Sequence, residues 1–152
     1  GRYADPDLSV QRRPAKIGAA MIGKIERVLG EISWSHGDVV EFLGCYLTEP
    51  KQHVLFAPPR KPLSELAFSK AARRDGVELA LPSQMLYAGA MFFINGEPHK
   101  DMDKAMQPPL RRLADARCLQ GRQIPLRGAV TGMLYRWYRA GYIYLSRSGP
   151  AN

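Results

Sequence analysis

Pro108-Pro109-Leu110-Arg111-Arg112-Leu113-Ala114-Asp115-Ala116-Arg117, followed past Gly121 and Pro125 by Leu126-Arg127-Gly128-Ala129-Val130-Thr131-Gly132-Met133-Leu134-Tyr135-Arg136-Trp137-Tyr138-Arg139-Ala140-Gly141-Tyr142-Ile143-Tyr144-Leu145, reads as helix, link, helix, strand. The paired prolines suit a first helical turn, where an N–H is not needed. Val130, Met133, Leu134 and Trp137 form one helical stripe, and Gly141 is placed to cap it. Tyr142-Ile143-Tyr144-Leu145 is a terminal strand. The 45 residues from Pro108 to Asn152 hold eight arginines, no lysine and a single acid, Asp115. They therefore carry +7 of the formal net charge of +8. A basic module of this shape points to nucleic acid, or to something bound to nucleic acid, as partner.

The candidate basic partner surface is Arg111 and Arg112 on the first of these helices and Arg127, Arg136 and Arg139 on the second. A helix-turn-helix reader reaches bases with the N-terminal part of its second helix, which here offers Arg127 and Thr131. Arg136 and Arg139 lie near the C-terminal end, where they also complement the macrodipole. Tyr135, Trp137, Tyr138, Tyr142 and Tyr144 could stack on bases, but a core role suits most of them better. Nucleic-acid contact and a structural or protein-facing role for the arginines both stay open.

Upstream, Met85-Leu86-Tyr87 and Met91-Phe92-Phe93-Ile94 flank Ala88-Gly89-Ala90 as a short β-hairpin, and Asn95-Gly96 is a turn. Glu97 to Gln107 reads as a polar loop. A helix from an N-cap at Ser64 to about Arg74 ends at Gly76, behind the stiff linker Ala57 to Pro62. Val54-Leu55-Phe56 is a strand or a buried loop. Nearer the N-terminus, Ser35 caps a helix that Pro50 stops. An earlier helix, about Ala15 to Ile32, places Ile17, Met21, Ile25 and Val28 in one stripe, with Ile22 and Leu29 beside it. That apolar breadth requires a neighbour, either another helix of the monomer or a second subunit.

Composition is that of a soluble globular chain, 45% apolar and 24% charged, long enough for one domain or two small ones. No apolar run approaches the roughly 18–20 residues that span a bilayer, so no membrane partner is expected. Gly1 to Ala15 does not read as a signal peptide. Cys45 and Cys118 fit no metal spacing; as unpaired thiols they fit a reducing cytoplasm, a single long-range disulfide being the alternative. His99-Lys100-Asp101 matches the His-x-Asp half of an iron(II) facial triad, but no histidine follows it, and the loop reading makes these residues solvated. His36 and His53 have no ligand partner at metal spacing, and neither a Gly-x-Ser-x-Gly elbow nor a phosphate-binding loop is present. No catalytic, cofactor-binding or metal residue is assigned in this chain.

Tyr3-Ala4-Asp5-Pro6-Asp7-Leu8, the segment Trp34-Ser35 to Gly44-Cys45-Tyr46-Leu47-Thr48-Glu49-Pro50-Lys51, Phe92-Phe93-Ile94-Asn95-Gly96-Glu97, and the ending Leu134-Tyr135-Arg136-Trp137-Tyr138 to Gly141-Tyr142-Ile143 resemble, in this order, the C-terminal half of the bacterial ribosomal oxygenases. These cupin/JmjC proteins are related to an arginine hydroxylase that acts on a large-subunit ribosomal protein. The resemblance implies an α+β, mainly helical fold. Residues 1–80 would form a helical dimerisation region with an extended N-terminal segment, and 81–152 a winged-helix domain with a short β-hairpin. It implies a homodimer, with Ile17, Met21, Ile25 and Val28 at the interface, and a cytoplasmic location. Fe(II) and 2-oxoglutarate would sit in an N-terminal barrel upstream of Gly1, in a parent that hydroxylates a ribosomal protein. This chain alone would be non-catalytic. A stand-alone winged-helix DNA-binding protein is the alternative.

Overall fold

The computed structural model describes residues 16–31, 33–125 and 128–146. The chain divides into two compact units, Gly1–Gly37 and Asp38–Asn152. Helix α1, Ala19–Glu31, belongs to the first, and α2, His36–Thr48, leads into the second. The second unit continues with α3 (Glu65–Asp75), β1 (Val77–Leu79), β2 (Met85–Ala88), β3 (Met91–Ile94) and β4 (Glu97–His99). It is completed by α4 (Gln107–Ala116), β5 (Cys118–Leu119), a 3-10 turn (Gly121–Gln123), α5 (Val130–Ala140) and β6 (Ile143–Leu145). The α+β, mainly helical reading matches this architecture.

Two three-stranded antiparallel sheets share the core, ordered β5-β1-β6 and β2-β3-β4. In the first, Val77 pairs with Leu119 and Leu145, and Leu79 with Ile143, so one face is apolar. Glu78, between Cys118 and Tyr144, lies on the solvent face. β1 and α3 come early in this unit yet pack with its last elements. β1 is the middle strand, and Phe68 of α3 stacks on Tyr138 of α5 with ring centroids 4.7 Å apart.

The second sheet explains the unbroken run Met91-Phe92-Phe93-Ile94. Phe92 and Ile94 face the main core with Met85 and Trp137. Phe93, 2% exposed, points the other way, beneath α2. A strand covered on both faces loses polar alternation. Helix α2 is joined to this sheet at two points. A Cβ on Gly44 would lie 2.4 Å from Phe93 ring atoms, so only glycine lets the helix sit that close. One turn on, the fully buried Thr48 hydroxyl donates to Gly44 O (2.7 Å) and accepts from Gly96 N–H (2.9 Å).

Asn95 and Gly96 both have positive φ, 50° and 85°, the geometry of a tight hairpin turn. Asn95 is also a buried pin. Its amide donates to Ser83 Oγ (3.1 Å), its carbonyl accepts from Gln84 N–H (2.9 Å), and Ser83 Oγ donates to Tyr142 O (2.7 Å).

Several sequence expectations need correction. Glu97 to Gln107 is not all loop: its first residues form β4, and His99 pairs with Phe92 rather than standing in solvent. β1 and β5, three and two residues long, were hidden because so short a stretch shows no period. Val54-Leu55-Phe56 makes no strand; Phe56 packs edge-on to Tyr142 at 4.9 Å, and Leu55 is 87% exposed.

Candidate functional site

The described arginines of this module do not form one surface, because the fold uses Arg111 and Arg117 internally. Arg111 Nη2 donates to Gly89 O (3.2 Å) and Gln107 Oε1 (3.0 Å), and its guanidinium lies 5.7 Å from the Tyr87 ring centroid. Tyr87 in turn donates to Asp115 at 2.9 Å, a bond that raises its pKa. Arg111 therefore clamps the β2–β3 hairpin to α4. Arg117, at φ 62°, donates to Ser83 O (3.0 Å) and Ala80 O (2.9 Å) and closes the approach to β2. Arg112, Arg136 and Arg139 are exposed. Arg127, at the proposed reading end of the last helix, lies outside the described residues, as does Arg147.

On α5 the exposed Arg139 sits beside a tyrosine. Arg139 Nη1 donates to Tyr135 Oη (3.3 Å) with its guanidinium 5.9 Å from that ring's centroid. Tyr135 Oη donates to Leu63 O (2.9 Å), and Tyr138 Oη accepts from Leu63 N–H (3.0 Å). Two hydroxyls thus hold both polar groups of one backbone residue and bring the Arg60-Lys61-Pro62 segment to this helix. Lys61, two residues from Leu63, has its Cα within about 7 Å of Leu63 Cα. Arg60 and Lys61 of this linker are exposed, as are Arg136 and Arg139. The sequence offered no signal for the Leu63 contacts. The same contacts cover part of the α5 face with protein.

Of the candidate stacking aromatics, Trp137 and Tyr138 are core residues and Tyr135 and Tyr142 half-buried. Tyr142 donates to Glu97 at 2.7 Å; burial first, then this bond, pushes its pKa up to about 12. Tyr144 lies at the surface, on the outer row of its sheet.

Of the stripe, Met21, Ile25 and Val28 lie on α1, whereas Ile17 precedes the helix, which begins at Ala19 rather than near Ala15. No residue of α1 is buried; Ile25 and Val28 are 49% and 48% exposed, Ile17 69%, and Met21 half-buried. Ile22 and Leu29, at 46% and 62%, widen the apolar surface.

The residues do not fit a metal. No group of three or more His, Cys, Asp or Glu side chains converges among the described residues. His99 is half-buried edge-on to Trp137, 5.5 Å between ring centroids, while Asp101 is exposed. Burial lowers the His99 pKa, with Glu97 opposing and Arg136 adding to the shift. Cys45, half-buried, and Cys118, exposed, are both free thiols. Among the described residues no helix is long and apolar enough to cross a membrane.

Three helices, α3, α4 and α5, folded against the β5-β1-β6 sheet, with α4 and α5 in helix-turn-helix order, define a winged-helix protein with an added hairpin sheet. The chain belongs to the ROXA-like winged helix family, whose model matches residues 32–144. Its fold is similar to that of YcfD, a ribosomal oxygenase from Escherichia coli, with a TM-score of 0.67 at 20% identity over 98% of this chain and 41% of that one. The complex of that oxygenase with cobalt and 2-oxoglutarate gives a TM-score of 0.65, again at 20% identity, over 98% of this chain and 41% of YcfD. The chain thus spans about two fifths of the solved structure it matches. No curated protein matches the sequence.

Proposed function

We propose that this chain is the non-catalytic C-terminal part of a JmjC/cupin hydroxylase, dependent on 2-oxoglutarate and Fe(II), that modifies a ribosomal protein in the cytoplasm. The observation that carries the reading is the match to a ribosomal oxygenase over 98% of this chain but only 41% of that protein. In this reading the N-terminal helical region supplies the dimer contacts, and the basic winged helix comprises residues 81–152 together with α3 and β1 from before residue 81. The uncovered stripe Ile17, Met21, Ile25 and Val28 supports a homodimer, since burying one such side chain is worth about 1.5–3 kcal/mol. The exposed Arg112, Arg136 and Arg139 are the cations offered to the ribosomal target or its RNA. In this reading Fe(II) and 2-oxoglutarate are held by a barrel of the parent.

Light scattering on the purified chain tests the dimer: Ile25→Glu with Val28→Glu should convert dimers to monomers without altering the circular dichroism of the rest. A wild-type chain that stays monomeric at every concentration refutes that part. With Fe(II) and 2-oxoglutarate added, the chain should form no succinate; measurable turnover overturns the non-catalytic assignment. The stand-alone DNA-reader alternative predicts sequence-dependent duplex binding with a steep salt slope. The tyrosine clamp on Leu63 weighs against it, because it occupies part of α5 with protein.

A further inference from the structure

The end of α2 meets the β3–β4 turn in a groove that neither the basic surface nor the α1 stripe uses. Two hollows adjoin there. One, of 390 Å³, is lined by Cys45, Tyr46, Glu49, Gly96 and Glu97 among others; the second, of 610 Å³, shares Tyr46, Glu49 and Pro50 and runs on to Lys51 and Gln52. Together they make an elongated trough with an aromatic wall, the ring of Tyr46, 65% exposed.

Two carboxylates, Glu49 and Glu97, line it against one cation, Lys51 at its far end, so its charge is opposite to that of the chain. Glu49 is exposed and makes no hydrogen bond or ion pair among the described residues. Glu97 is fixed by the Tyr142 hydroxyl at 2.7 Å through Oε1, which leaves Oε2 for an incoming donor. The field reaches the groove floor. Burial raises the Cys45 pKa first, and the carboxylates of Glu41 and Glu49 raise it further, against Lys100. A phosphate backbone is repelled by such a trough, whereas a cation is drawn in. A planar guanidinium can lie on an aromatic face and present N–H groups to carboxylates in its own plane, which an ammonium cannot do at once.

We propose that this groove binds an arginine side chain presented by an extended peptide segment of a protein partner, with the guanidinium on Tyr46 and its donors to Glu49 and Glu97. The assignment stands independently of the parent enzyme's activity.

The test is an NMR titration of the isotopically labelled chain with a capped glycine-serine peptide carrying one central arginine. Amide shifts should concentrate at Cys45, Glu49, Gly96 and Glu97. A lysine peptide should bind about threefold or more weakly, since it loses the planar fork. Glu49→Lys should weaken the arginine peptide about tenfold by reversing the charge it meets. Both Glu49 and Tyr46 are exposed, so Tyr46→Ala is a second variant expected to fold and to lose affinity. The proposal fails if the shifts lie elsewhere, if Glu49→Lys leaves them unchanged, or if an apolar peptide or single-stranded DNA binds this groove as well. It fails equally if the same amides shift with protein concentration alone, which would mean that a second copy covers the groove.

Discussion

Replacing Gly44 by alanine isolates the contact that seats α2 on the hairpin sheet. The added methyl would lie 2.4 Å from three ring atoms of Phe93. Carbon atoms pack at roughly 3.5–4.0 Å, so ring or helix must move by more than about 1 Å. Phe93 is 2% exposed and has little room to yield. Overpacking of this kind costs about 1–3 kcal/mol. Against it stands the gain of alanine over glycine inside a helix, about 0.8–1.0 kcal/mol. Gly132 on α5 calibrates that gain in the same unit, because a Cβ there meets only the Glu65 carboxylate at 3.7 Å, an ordinary contact. Gly132→Ala should therefore stabilise by about 0.5–1 kcal/mol. Gly44→Ala should fall below it by about 1–3 kcal/mol, since the propensity gain cancels in the comparison. Urea unfolding followed by circular dichroism measures both, with an unchanged slope confirming that only stability has moved. If the two alanines stabilise the protein equally, α2 does not rest on Phe93 and the account of the sheet as covered on both faces is wrong.

Thr48→Val keeps the shape but removes the hydroxyl that serves both Gly44 O and Gly96 N–H; leaving a half-buried N–H unpaired should cost about 1 kcal/mol or more in the same unfolding assay. The folded-state pKa of His99 lies below the unfolded value of 6.5 because its ring is buried against Trp137, so the unfolded chain takes up the proton first. Stability should accordingly decline as pH falls from about 7 through the folded pKa, and His99→Phe should flatten that part of the profile in unfolding curves taken between about pH 7.5 and 5. Tyr135→Phe with Tyr138→Phe releases both polar groups of Leu63; hydrogen exchange at the Leu63 amide should accelerate while β-sheet amides stay protected. Arg136→Glu with Arg139→Glu should reduce retention on a heparin or RNA column far more than Arg111→Gln, whose guanidinium is already spent on Gly89, Gln107 and Tyr87.

Much of the local structure is legible in the chain. Ser64 accepts from Ala67 N–H as an N-cap, Gly141 ends α5 at φ 80°, and Asn95-Gly96 turns the chain with positive φ at both residues. These features are short-range: a cap, a stop or a tight turn is fixed by residues within one helical turn or one hairpin. The apolar stripe of α1 is equally visible, because it is a matter of periodicity along one element. β1, β4 and β5 were not visible, since strands of two or three residues exist only by pairing with partners far along the chain.

By itself, then, the sequence determined the helices, the hairpin, the caps and the concentration of positive charge at the C-terminal end. The tertiary structure decided what that charge is for. Arg117 is drawn onto the Ala80 and Ser83 carbonyl oxygens, because a buried carbonyl needs a donor whichever part of the chain supplies it, and Arg111 is taken up by the exposed Gly89 carbonyl and by Gln107. Arg136 and Arg139 stay at the surface, on the helix to which two tyrosines fasten Leu63 of a linker some seventy-five residues away. Likewise the acidic groove forms only where the end of α2 meets the β3–β4 turn, nearly fifty residues apart in sequence. Charge counts add along a chain, but a binding surface depends on which charges the packed core leaves free to meet water.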